Sequence, residues 1–77
     1  MSSKAYVLIS AELDTEKQVV ENLEAIPEVK EAWAVYGVYD VVALVESEGG
    51  RDALKDVIFS KIRNMENVRA TITMIVM

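Results

Sequence analysis

Four short apolar segments and two amphipathic ones alternate along the 77 residues in the order βαββαβ, and few folds accommodate that order. Residues 4–11 are apolar with β-branched and aromatic side chains, which predicts a strand. Asp14-Thr15-Glu16 is a helix-start signal, and Thr15 with Gln18 has capping-box spacing. Val19, Val20, Leu23 and Ile26 then recur at helical spacing, opposite Glu16, Lys17, Glu21 and Glu24. Pro27 ends this helix, because the residue before a proline is pushed out of the α region. Residues 29–36 read as a second strand, Gly37-Val38 as a tight turn, and residues 39–46 as a third strand paired in a hairpin. After the loop Ser47-Glu48-Gly49-Gly50, the residues Leu54, Val57, Ile58, Ile62 and Met65 mark a second helix, with Asn64 or Asn67 as its stop. Residues 68–76 form the last strand.

The two halves echo each other, since Ile26-Pro27-Glu28-Val29-Lys30 answers Met65-Glu66-Asn67-Val68-Arg69. Two right-handed crossovers around one antiparallel sheet give an α+β, ferredoxin-like fold. The expectation is one domain over residues 1–77, a four-stranded antiparallel sheet with two helices on one face.

The strands carry a second message. In the first, Val7 and Ile9 oppose Tyr6 and Leu8; in the third, Val41, Ala43 and Val45 oppose Val42 and Leu44. In the fourth, Ala70, Ile72, Met74 and Val76 oppose Thr71, Thr73, Ile75 and Met77. Both faces are apolar, yet two helices cover only one, and a monomer rarely tolerates the apolar patch that remains. The expected resolution is a two-fold dimer through the open sheet face. Size argues the same way. A chain this short buries about 60% of its unfolded surface, and its core supplies only about 3–5 kcal/mol. With no cysteine, disulfides and thiolate metal sites are excluded, so partner subunits are the remaining support.

Histidine is absent too, which removes the commonest general base and metal ligand. The net charge is −5, and the eight basic residues are scattered. Clustered Lys and Arg are needed to neutralise phosphates, so direct nucleic-acid binding is not expected. No apolar run approaches the roughly 18 residues of a membrane span. The start Met1-Ser2-Ser3-Lys4 has no leader pattern, and a soluble cytoplasmic protein is expected. Met65, Met74 and Met77 read as core or interface filler, Trp33 as a packing anchor, and Asp52 with Asp56 as a solvated helix face.

The most informative local feature is Tyr36-Gly37-Val38-Tyr39-Asp40. In one reading Gly37 supplies a positive φ and Asp40 bonds the turn backbone. In the other, Gly37 bares backbone N–H groups for a carboxylate and Asp40 faces an ammonium group, a pairing that fits a zwitterionic amino acid.

Gly37-Val38-Tyr39-Asp40, the apolar strand 41–46, the helix 54–65 and Val68-Arg69-Ala70-Thr71-Ile72-Thr73-Met74-Ile75-Val76 together resemble the effector-binding (RAM) half of the Lrp/AsnC, leucine-responsive or feast/famine, transcription regulators. The resemblance implies a ferredoxin-like domain that dimerises through its sheets, with dimers assembling into rings such as octamers or decamers. It implies a free amino acid as effector and no other cofactor, bound between dimers near the turn. Carried onto this chain, Gly37, Val38, Tyr39 and Asp40 form one side of the site. Thr71 and Thr73 supply further polar contacts, from this or a neighbouring chain. The threonines have an equal claim to being strand residues whose hydroxyls face the dimer sheet.

Full-length members carry an N-terminal helix-turn-helix, and here nothing precedes the first strand. Glu66-Asn67 stands where the family often has Pro-Gly. The expected role is a stand-alone amino-acid sensor, acting by co-assembly with full-length regulators or as a free binding protein, and not an enzyme. The rivals are a dimeric α/β-barrel enzyme, for which Asp40 is the one candidate base, and an ACT-like regulatory module.

Overall fold

The computed structural model describes residues 2–77, so the reading of Met1 lies outside the described residues. Its elements are β1 (Ser3–Ala11), α1 (Glu16–Glu24), β2 (Val29–Ala34), β3 (Val41–Ser47), α2 (Gly50–Val57), a π-helical turn (Ile58–Ile62) and β4 (Val68–Ile75). The sheet is antiparallel throughout, in the order β2-β3-β1-β4, which is the expected ferredoxin-like topology.

Strand alternation and pairing register together sort the side chains. Ala5, Val7 and Ile9 of β1 and Val41, Ala43 and Val45 of β3 are buried under the helices. They pack with Val19 and Leu23 of α1, with Leu54 and Val57 of α2, and with Ile58 and Ile62. The opposite face is the apolar surface that the sequence predicts. Paired across it are Trp33, Val42, Leu8 and Ile72 in one row, and Leu44, Tyr6 and Met74 in the next. Trp33 therefore anchors no core within the subunit. It lies exposed on the open face, its Nε1–H donating to Glu31 Oε1 at 3.1 Å.

Several local expectations are corrected. No capping box forms at α1, because the Thr15 hydroxyl donates to the Glu12 carbonyl at 2.7 Å and tightens the preceding turn instead. α1 stops at Glu24, ahead of Pro27, as Ile26 N–H bonds back to the Leu23 carbonyl. The β2–β3 connection is wider than a two-residue turn. Val35 N–H donates to the Asp40 carbonyl at 2.9 Å, so Tyr36 to Tyr39 form the tip and β3 begins only at Val41. The second helix starts earlier than its apolar stripe, at Gly50, and widens after Val57. On an α-helix, positions 54, 58 and 62 drift by about 40° at each step. The π turn, closed by Arg63 N–H to the Ile58 carbonyl at 2.9 Å, offsets that drift and leaves Leu54, Ile58 and Ile62 all buried. Both asparagines take part in the stop: Asn64 Nδ2 donates to the Phe59 carbonyl at 3.2 Å, and Asn67 adopts φ 71° before β4.

Glu28 and Lys61 tie the two helix-to-strand regions together with an Oε1–Nζ distance of 3.2 Å. Hydrogen bonding from its own backbone N–H, and then from Lys61, holds the Glu28 carboxyl below its ordinary range. A carboxylate lowered by folding contributes stability above its unfolded pKa and loses it as pH falls through the folded value. Lys61→Met is expected to move the Glu28 pKa upward only part of the way, since the backbone bond remains. Side-chain NMR titration checks this, and an unmoved Glu28 would show that Lys61 has no influence there.

Candidate functional site

The turn between β2 and β3 closes one end of the sheet, and Asp40 is the residue that holds it there. Its N–H donates to the Ile9 carbonyl at 3.0 Å, and its Oδ2 accepts from Ala11 N–H at 2.9 Å. Ala11 needs this partner because its N–H faces the β3 side, where the β1–β3 pairing ends at Ile9 and Val41 and leaves no β3 carbonyl opposite it. The Asp40 side chain thus bonds β1, whereas one reading of the sequence expects a bond to the backbone of its own turn, and it does so with one carboxylate oxygen. Gly37 sits at φ 154° with nothing within 4 Å of where a Cβ would be. Any side chain there is strained by the backbone and not by crowding.

Gly37 and Asp40 line a cleft of about 430 Å³ together with Asp14, Glu16, Ala34, Val35 and Tyr36. The sequence pointed to neither Asp14 nor Glu16 as site residues. Asp14 reaches the cleft from the β1–α1 loop in a left-handed conformation, φ 64°, and Glu16 from the first turn of α1. No basic residue is among those that line it. Val38 does not line the cleft but stands out from the turn at 93% exposure, and Tyr39 is half-buried.

The threonines lie elsewhere. Thr71 pairs with Ile9 and Thr73 with Val7, which puts both on the helix side of the sheet. Their hydroxyls therefore do not face the open sheet, as one reading of the sequence expects. They stay accessible because β4 is the outer strand, beyond the helices' cover. Thr71 lines a cleft of about 250 Å³ with Arg63, Val68, Arg69 and Ala70. Thr73 lines a pocket of about 210 Å³ with Lys55, Ile58, Phe59 and Ile75. The Arg63 guanidinium stacks on the Phe59 ring at 4.9 Å. One subunit thus brings Gly37 and Asp40 together in one cleft, while Thr71 and Thr73, on β4 and separated from β3 by β1 alone, line other clefts. Among the described residues no group of three or more His, Cys, Asp or Glu is placed to hold a metal ion. No helix among them is long and apolar enough to cross a membrane.

The chain is thus a ferredoxin-like domain with an apolar open sheet face and a polar cleft at its β2–β3 turn. The chain belongs to the Lrp/AsnC ligand binding domain family, whose model matches residues 4–77. Among solved structures, that of FFRP-DM1 is 40% identical, with 97% of this chain and 99% of that one covered and a TM-score of 0.92. The hypothetical protein PHS023 from Pyrococcus horikoshii is likewise 40% identical, with 100% and 90% covered and a TM-score of 0.91. The feast or famine regulatory protein Rv3291c from M. tuberculosis, solved in complex with L-methionine, is 28% identical; 97% of this chain and 50% of that one are covered, with a TM-score of 0.75. Comparison with curated protein sequences gives no match.

Proposed function

We propose that this chain is a regulatory domain that binds a free amino acid in the cleft around Gly37 and Asp40 and performs no catalysis. The observation that carries this reading is the pairing of bare backbone at Gly37 with a carboxylate at Asp40 in one cleft. Asp40 keeps its second oxygen for an ammonium group, and the turn backbone is open to a carboxylate. The L-methionine held by the M. tuberculosis relative supports the effector class. The absence of histidine and cysteine supports binding over chemistry, because Asp40, the one candidate base, already bonds Ala11.

The working form is a homo-oligomer built on a dimer across the open sheet face, with dimers joined into a ring. Its support is the apolar sheet and a second group of exposed apolar side chains at the cleft end, Leu13, Tyr36 and Val38. In this reading the domain acts in the cytoplasm on amino-acid-responsive transcription by co-assembling with full-length regulators of its family. Mixing the chain with such a regulator and finding no hybrid species on a sizing column would leave only the free binding role.

A thermal-shift screen of free amino acids tests the effector. A ligand at 100 times its Kd stabilises by about 2.7 kcal/mol, which moves the melting point of a domain this small by ten degrees or more on the scale of about 4–8 °C per kcal/mol. Asp40→Asn keeps an acceptor for Ala11 N–H while removing the charge, so it is expected to fold and to lose the shift. A flat screen on the wild-type chain, or full retention of the shift in Asp40→Asn, would sink the assignment.

A further inference from the structure

We infer that Met74 is a site of reversible oxidation by hydrogen peroxide, and that its sulfoxide takes the sheet-face assembly apart. The inference rests on the sheet-face reading of the working form and adds a chemical control to it. The chain holds four methionines and no cysteine, so two-electron oxidation by peroxide falls on thioethers and not on thiols. Among the described residues the three methionines differ in setting. Met65 is half-buried and packs against the core. Met77 is fully exposed beyond the end of β4. Met74 stands on the open sheet face at 48% exposure, paired with Tyr6 of β1 and set between Ile72 and Val76 on its own side of the chain. Because β4 is an outer strand, Tyr6 is its one cross-strand neighbour.

A sulfur lone pair attacks one peroxide oxygen, an S–O bond forms and the O–O bond breaks. The proton of the attacked oxygen passes to the departing hydroxide, which leaves as water. The thioether is oxidised by two electrons to the sulfoxide, and the peroxide is reduced. The product replaces a flexible apolar side chain with a polar, chiral one that disrupts apolar interfaces. Of the neighbours Tyr6, Ile72 and Val76, only Tyr6 carries a side-chain donor. A sulfoxide oxygen pressed against a second apolar sheet is a buried acceptor without a partner, and a two-fold contact counts that penalty twice. The subunit's own core lies on the other side of the sheet and is untouched. Accessibility gives the device its direction. The second sheet covers the sulfur in the assembled form, and separation bares it. Peroxide therefore captures subunits as they come apart, and the sulfoxide blocks their return.

Wild-type chain is treated with hydrogen peroxide at several protein concentrations, and each methionine is followed by fragmentation mass spectrometry of its peptides. Met77 is expected to oxidise at one rate throughout, and Met74 more slowly as the protein concentration rises. Sedimentation is then measured just above the concentration at which the untreated chain dissociates. Oxidation of Met74 is expected to raise the dissociation constant by about tenfold or more, with an unchanged circular dichroism spectrum. Methionine sulfoxide reductases for both sulfur epimers are expected to restore the mass. Met74→Leu keeps the apolar volume and is expected to hold its mass through the same treatment, although Met77 still oxidises. Met74→Gln is expected to dissociate without peroxide. A wild-type mass retained after Met74 is fully oxidised, an equal loss of mass in treated Met74→Leu, or a Met74 rate independent of protein concentration overturns the inference. Ile72→Glu tests the sheet face without peroxide. If it sediments as a single subunit while oxidised wild type keeps its mass, the oxidation site alone fails; if it keeps the wild-type mass, the sheet-face reading fails and the inference with it.

Discussion

Replacing Ile72 by glutamate is expected to leave a chain that sediments as a single subunit at micromolar concentration. Ile72 lies in the row Trp33, Val42, Leu8, Ile72 of the open sheet and is 45% exposed in the isolated subunit. A fully buried isoleucine contributes about 1.5–3 kcal/mol, so covering the exposed part contributes about 1 kcal/mol per copy, and a two-fold contact counts it twice. The glutamate adds a larger penalty. A carboxylate set against Leu8 and Met74 on an apolar sheet finds no partner, and an unpaired buried charge costs several kcal/mol. A combined loss of about 4 kcal/mol raises a dissociation constant by about a thousandfold. Because the substituted side chain is on the uncovered face, the subunit's own core is untouched. Sedimentation velocity of the variant beside the wild type decides it: an unchanged mass means that the open sheet is not the assembly surface.

The second large effect is in the core. Ile62 has no solvent exposure and sits where the π turn returns the helix to the sheet. Truncating such a residue to alanine costs about 2–5 kcal/mol, against a core that supplies about 3–5 kcal/mol in a domain of this size. Ile62→Ala is thus expected to be largely unfolded when dilute and to regain structure as its concentration rises. Assembly stabilises whatever binds only the folded subunit. Urea unfolding followed at two protein concentrations reads this directly. A midpoint equal to wild type would mean that Ile62 contributes nothing to the core, and a midpoint independent of concentration would mean that folding and assembly are uncoupled.

Much of this architecture was legible in the order of apolar periods. Val7 with Ile9 and Val41 with Ala43 and Val45 alternate at period two, and Val19 with Leu23 repeats at helical spacing, so strand and helix identities follow from local geometry. Boundaries were less legible where long-range bonds set them. Nothing local to Val41 says that the third strand begins there; that follows from Asp40 being tied to Ile9 and Ala11, far away in sequence. The π turn was hidden for a similar reason. Leu54, Ile58 and Ile62 read equally well as a regular helical stripe, and only the need to bury all three under one sheet widens the turn.

Of the candidate site, the turn at Gly37 and Asp40 was visible because positive φ and turn chemistry belong to the residues themselves. Asp14 and Glu16 were missed. Their acidity had a sufficient local explanation at a helix start, and only the folding of the β1–α1 loop against the hairpin brings them to the cleft.

By itself the sequence determined the element order, the ferredoxin-like topology and the excess of apolar surface. These depend on periodicity and composition, which every residue carries wherever it is placed. Tertiary structure alone decided which face each threonine of β4 occupies and how the 54–62 stripe is wound. It also decided which charges share a cleft. Those depend on strand register and on contacts between residues distant along the chain, and a one-residue slip in register would have turned every side chain of β4 to the other face.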